Sequence, residues 1–258
     1  LERDVATLTH AERNVVRSYS ISVFDLARVQ LEQDSANCIG SYREVYRLDR
    51  WLGLLPDAAQ TALSLGSAYL GAAAIRDLDE AERWYTISLD HAPKGDRHTR
   101  GQAYSALGSV ELQRFNDARN VDASEATLLR HLNAAQQRCR EGLDMLPAEA
   151  VADRARTHNQ LGLVHRRRGR VDQALHDFRE SIRYEEAQGS VYGAALTREN
   201  VAMLLAEHRR FSEALLYARA ALDNFGSLGR GAADRVGRAQ ALIAHIKRLA
   251  AAHGTGGA

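Results

Sequence analysis

Three widely separated stretches of the chain carry the same arrangement: Asp77-Leu78-Asp79-Glu80-Ala81, Arg170-Val171-Asp172-Gln173-Ala174 and Arg210-Phe211-Ser212-Glu213-Ala214. Such self-similarity marks a repeat architecture, in which each unit buries its apolar face only against its neighbours. Each copy reads in the same way. The apolar residue plugs the corner of a helical hairpin, and the polar pair lies in a first helical turn, where acidic and capping side chains satisfy free N–H groups. The alanine then lets a partner helix approach. Asp77 with Glu80, and Asp122 with Glu125, have the spacing of a capping box, with Asp in place of Ser or Thr. A second element lies upstream: Leu65-Gly66-x-x-Tyr69, Leu161-Gly162-x-x-His165 and Val201-Ala202-x-x-Leu205, with a further copy at Tyr104-x-x-Leu107-Gly108. Its small residue admits the partner helix, while the Leu and the residue at i+4 share a face that packs on the neighbouring repeat.

Composition agrees with helices almost throughout. With three prolines and few aromatics against many Ala, Leu, Arg and Glu, a sheet has little to be built from. Pro56, Pro93 and Pro147, then Gly189 and Gly226, divide the chain into segments long enough for two helices each. The expected organisation is a helix pair over 10–55, a repeat over 57–93, a repeat with an insertion over 95–147, repeats over 150–188 and 190–227, and a capping helix over 231–252. In the first pair the apolar residues are Val16, Val23, Leu26 and Val29 on one helix and Tyr42, Val45, Tyr46, Leu48 and Trp51 on the next. Ala239, Leu242, Ile243, Ile246 and Leu249 form the apolar stripe of the capping helix. The tail from Gly254 is expected to be unordered.

The two elements together resemble the tetratricopeptide repeat (TPR) family, whose pattern runs W-x-x-L-G-x-x-Y, then A-x-x-x-F, then P. Gly162 to Ala174 and Ala202 to Ala214 are both twelve residues apart, and Ala174-x-x-x-Phe178 and Ala81-x-x-x-Tyr85 keep the aromatic. Pro93 and Pro147 sit where the family ends its second helix. The departures are specific. Gly66 to Ala81 is fifteen residues and Gly108 to Ala135 is twenty-seven, so the first hairpin is lengthened and the second carries an insertion around Arg114 to Glu125. Ala218 and Cys139 replace the aromatic. The resemblance covers Ala58 to Phe225 and implies an all-α, right-handed solenoid of about five antiparallel hairpins plus a C-terminal capping helix.

Charge excludes some functions. Thirty-four basic and thirty-three acidic side chains nearly cancel, so no whole-protein field draws in nucleic acid or an anionic membrane. Cys38 and Cys139 are too few for a disulfide framework, which fits a reducing, cytoplasmic setting. Leu1-Glu2-Arg3-Asp4 opens no signal peptide, and the most apolar stretch, Tyr69 to Ile75, is too short to span a bilayer. Because translation does not start at Leu, the chain is expected to be part of a longer one, attached to another domain. Arg outnumbers Lys heavily, as in GC-rich bacterial genomes.

No catalytic residues, metal ligands or cofactor are expected. The only lysines, Lys94 and Lys247, are not in a phosphate-binding loop. Cys139 falls at a repeat core position, and neither cysteine has the context of a nucleophile. His158 and His165 share a helix face, but no Cys or carboxylate joins them at ligand spacing, and His165 occupies the family's aromatic slot. The segment 151–183 is basic, with Arg166-Arg167-Arg168-x-Arg170 at a hairpin corner, yet no aromatic residues interleave to stack bases, so nucleic acid is not the expected partner.

In the family, a stripe about 130° around the helix from the buried one lines the concave face. Carried over, the resemblance implies a binding surface of Gln60, Leu63 and Ser67 with Leu70; of Gln102, Ser105 and Ser109 with Leu112; of Arg156, Asn159, Leu163 and Arg166; and of Glu199 and Met203 with Leu196 and Ala206. Neighbouring Ser64, Gln160 and Asn200 reach it. Ser, Gln and Asn offer hydrogen bonds to a partner's backbone, and Leu and Met offer apolar pockets, which suits a peptide or protein segment. The lysine-rich carboxylate clamp of the family's chaperone-binding members is replaced here by Arg, Gln, Ser and Glu. The function expected is protein–protein or peptide binding. The alternative is a ligand-sensing regulatory segment of a larger bacterial signalling ATPase or transcription regulator. An enzyme hidden in residues 114–130 is the weakest reading, since they offer Asn, Asp and Arg but no Cys or Lys.

Overall fold

The computed structural model describes residues 5–254. Leu1 to Asp4 and residues 255–258 of the expected tail lie outside the described residues, while Gly254, expected to begin that tail, is the last residue of a helix. Among those described there are eleven α-helices, three short 3-10 turns and no strand. None of these helices is long and apolar enough to cross a membrane. The chain divides into two compact units, 1–147 and 148–258.

The first unit holds α1 (His10–Glu32), α2 (Asn37–Trp51), α3 (Leu55–Gly71), α4 (Leu78–His91), α5 (Arg97–Asn120) and α6 (Glu125–Met145), each packed on the next. Local chemistry sets the starts. Thr9 and Glu12 form a reciprocal capping box on α1, Asp77 accepts from the backbone N–H groups of Asp79 and Glu80 on α4, and Asp96 caps α5. Pro56 sits in the first turn of α3, where its missing N–H removes no helical bond. The signature alanine Ala81 is fully buried, and the space a Cβ on Gly66 would take is filled by the Tyr85 ring, with its nearest carbon 2.5 Å away. Glycine is what lets α3 and α4 approach, and full burial of an aromatic of this size contributes on the order of 1.5–3 kcal/mol.

Two expectations change here. Asp122 does not cap α6: it stands in the left-handed region at φ 51°, and Ser124 accepts from the Thr127 N–H instead. The buried stripe of α1 is Ser20, Val23 and Ala27, with Val16 half-buried, while Leu26 and Val29 are exposed. Among the described residues α1 packs chiefly on α2, and the stripe it uses contains a serine, so hydrophobicity alone selects the wrong face. The insertion around Arg114 to Glu125 is absorbed as extra helical turns at the end of α5 and the turn into α6. There Arg114 bonds Asp79 at 2.6 Å, Glu82 at 2.7 Å and Glu111 at 2.9 Å, tying α4 to α5. The extra length between Gly66 and Ala81 forms the 3-10 turn Ala73–Ile75.

The second unit holds α7 (Val151–Arg167), α8 (Val171–Ala187), α9 (Val191–Glu207), α10 (Phe211–Ser227) and, after a 3-10 turn, α11 (Ala233–Gly254). The Phe178 ring lies on Gly162 as Tyr85 does on Gly66, with its nearest atom 2.5 Å from an added Cβ. Its core gathers Phe178, Val201, Leu204, Leu205 and Ala218, onto which α11 lays Leu242, Ile243 and Ile246. Gly169 after α7 and Gly189 after α8 adopt positive φ, which closes each helix end without steric penalty.

Candidate functional site

In the first unit the residues read as a binding stripe separate into open and withdrawn ones. Gln60 is exposed on α3, and its Oε1 accepts from Thr99 Oγ1 at 3.4 Å. Ser67 donates to the Leu63 carbonyl and accepts from Tyr85 Oη at 3.3 Å. Leu63 is 9% exposed and belongs to the core. Ser105 is also withdrawn, only 5% exposed and seated against Gly142 of α6. The cause is a small-residue seam. An added Cβ would meet Leu146 from Gly101, Cys139 from Gly108 and Ser105 from Gly142, so the smallness of Ser105 serves the close approach of α5 and α6. Gln102, Ser109 and Leu112 remain half-buried beside that seam.

A cavity of about 240 Å³ in this unit is lined by residues of α1, α2 and α3, Gln60 among them. Asp49 also lines it, 5% exposed, and its two carboxylate oxygens accept from Ser20 Oγ at 2.8 Å and Thr61 Oγ1 at 3.0 Å. Burial pushes its carboxyl up, against the lowering effect of the two hydroxyls. The sequence reading missed Asp49, although a charged residue beside Val45 and Leu48 on the buried stripe of an amphipathic helix was the signal available.

In the second unit, Arg156 and Asn159 line a cleft of about 390 Å³ between α7 and α9, with Glu185 and Gln188 from the end of α8 and Leu196 and Thr197 from α9. The cleft repeats the plan of the other cavity. Asp49 with Thr61, and Glu185 with Thr197, each place a carboxylate near the end of one helix and a threonine on the next helix, twelve residues later. Asn200 donates to Asn159 Oδ1 at 3.0 Å, joining α9 to α7. Arg166 is held the same way: its guanidinium makes a two-point bond to Glu207 at 3.0 and 2.5 Å, holds that carboxyl below its usual range, and is left 10% exposed. Arg156 is the open cation, 66% exposed beside Asp153 at 3.2 Å. Leu163 and Met203 are half-buried. Glu199 stands 4.0 Å from Arg235 of α11, and burial raises its carboxyl.

His158 and His165 meet a carboxylate after all, supplied by the next helix. Asp177 of α8 accepts from Nδ1 of His158 at 3.0 Å and of His165 at 2.8 Å. An ionised carboxylate can only accept, which places a proton on both Nδ1 atoms. His165 Nε2 is buried without a partner. Among the described residues no group of three or more His, Cys, Asp or Glu is arranged to hold a metal ion. Both thiols are buried, and burial pushes that of Cys38 up, away from the reactive thiolate.

Residues 153–227, from α7 to the end of α10, match a family model described as Tetratricopeptide repeat. Over these residues the chain is similar to tetratricopeptide repeats. This family is generally a non-catalytic scaffold and typically binds proteins. No curated protein matches the sequence. Among solved structures the chain is similar to the crystal structure of BtubC (BKLC) from P. vanneervenii, at 17% identity over 88% of this chain and 92% of that one, with a TM-score of 0.53. At that identity the likeness speaks for the helical-repeat fold alone.

Proposed function

We propose that the protein is a non-catalytic, cytoplasmic interaction scaffold that holds a peptide or protein segment against its tetratricopeptide repeats. The observation that carries this reading is the α7–α9 cleft, which lies inside the matched repeats and combines an open guanidinium, amide and hydroxyl groups and an apolar wall at Leu196. Asn159 and Gln188 suit the backbone of an extended segment, and Arg156 suits a carboxylate on it. Within 148–258, Arg166 is engaged by Glu207, and Arg156, Asn159 and Met203 are the proposed contacts; within 1–147, Leu63 and Ser105 are buried and Gln60 is exposed.

The test is selection of displayed random peptides, followed by fluorescence anisotropy of the enriched sequences with the parent chain and with Arg156→Glu/Leu196→Asp. Binding to the parent and about tenfold or greater loss in a variant of unchanged melting temperature is expected. Enriched peptides indifferent to the two substitutions would move the site, and no enrichment at all would sink the scaffold reading.

A further inference from the structure

We propose that the cavity between α1, α2 and α3 is a binding site for a cationic side chain of the partner, an ammonium or guanidinium carried on an aliphatic stem. The inference deepens the scaffold reading, on which it rests, by giving the chemistry of one partner contact. Three observations converge on it.

The first is the buried carboxylate of Asp49, which has no ion-pair partner among the described residues. Both of its oxygens accept hydroxyl hydrogen bonds, as the ionised form does. A buried charge is ordinarily paired, and an ionised carboxylate has about four acceptor positions, of which two are filled here. The second is the cavity itself, of about 240 Å³, which Asp49 lines together with the apolar Ile21, Phe24 and Val45. An apolar lining around one buried carboxylate fits a methylene stem ending in a cation, and the Phe24 ring adds an aromatic surface to the same lining. The third is the rim. Arg17 lies 3.7 Å from Asp57, with both side chains about half exposed, and from the rim its charge also acts on Asp49 without forming an ion pair with it. The carboxylates of Asp49 and Asp57 outnumber the one guanidinium, and charge complementarity selects a cation over an anion.

The experiment uses the whole chain and three capped amino acids, Nα-acetyl N-methylamides of lysine, arginine and norleucine, followed by amide chemical shifts in heteronuclear NMR. Lysine or arginine is expected to shift the amides of Phe24, Asp49 and Thr61 saturably, and norleucine, with the stem but no charge, is not. Asp49→Asn, which keeps hydrogen-bonding capacity for Ser20 and Thr61, is expected to weaken the cation by about tenfold or more. Arg17→Ala removes a competing cation from an exposed position and is expected to tighten it. If Asp49→Asn alters folding, Arg17→Ala decides: unchanged or weaker binding overturns the proposal. Equal binding of norleucine, unchanged binding to a folded Asp49→Asn, or no saturable shift with either cation also overturns it. The capped amino acids report on this cavity alone and the peptide selection on the scaffold reading, so each can fail without the other.

Discussion

The buried Asp177 carboxylate joins two imidazoles of α7 to α8, so its ionisation bears on the stability of that hairpin. Burial pushes its carboxyl up, but the Nδ1–H bonds from His158 and His165 outweigh burial, leaving the folded value below the ordinary carboxylate range. A depressed folded value means that the contribution is present above the unfolded value and is lost as pH falls through the folded one. Asp177→Asn is therefore expected to destabilise by roughly 1–3 kcal/mol near neutrality and to flatten the acid limb of melting temperature against pH. An acid limb as steep as the parent's would show that other carboxylates carry it. Arg209 gives a second prediction. It stands at φ 58° after α9, where the preceding repeat has Gly169 at φ 68°. Arg209→Gly is expected to stabilise by about 0.5–1 kcal/mol in urea denaturation, through relief of the left-handed strain. The core alanines and glycines were legible because sequence spacing fixes which residues share a helix face. Asp177 and Asp49 were not, since their partners come from other helices, and periodicity within one helix is silent about what a neighbour presents.

Helix boundaries follow from caps, and α6 shows how a boundary is misread. Asp122 and Glu125 have capping-box spacing, yet the chain leaves α5 through Asp122 in a left-handed turn and only then reaches Ser124, whose hydroxyl accepts from the Thr127 N–H at 3.3 Å. Asp tolerates the left-handed region better than most residues, and that use took precedence over capping. Ser124→Ala is expected to lower stability by about 1 kcal/mol, and Asp122→Asn, which keeps the left-handed tolerance, to stay within about 0.5 kcal/mol, both read by chemical denaturation. The reverse order would restore Asp122 as the cap. The start of α4 was legible because Asp77 combines cap chemistry with extended backbone at φ −145°. The exposed Leu26 and Val29 of α1 were misplaced for the opposite reason: apolar residues, Val15 and Ile21 among them, lie on more than one side of α1, and spacing alone does not say which side its partner takes.

Repeat arrays hold themselves together through neighbouring elements, so stability is distributed along the chain in place of one central core. The hydrophobic cluster built on Tyr42, Leu65, Tyr85 and Val110 lies in residues 1–147, and the clusters around Phe178 and Phe225 lie in 148–258. The recurring signature announced the repeats but not this division, because Pro147, like Pro93, simply follows a helix end and carries no mark of a unit boundary. Residues 148–258 contain two complete hairpins, their glycine–aromatic contact at Gly162 and Phe178, and the terminal α11 laid over Leu204 and Leu205. A segment that closes its own core meets the requirement for folding alone. Expressed by itself, it is expected to give a helical far-ultraviolet circular dichroism spectrum and a cooperative melt, and the full chain is expected to unfold over a broader urea range than a two-state protein of its size. In the same segment Gly162→Leu forces a branched side chain into the Phe178 ring and is expected to lower its stability by roughly 1–3 kcal/mol or more. A segment that melts without cooperativity would mean that the hairpins fold only as one array, and the glycine substitution would then shift the whole chain's transition together.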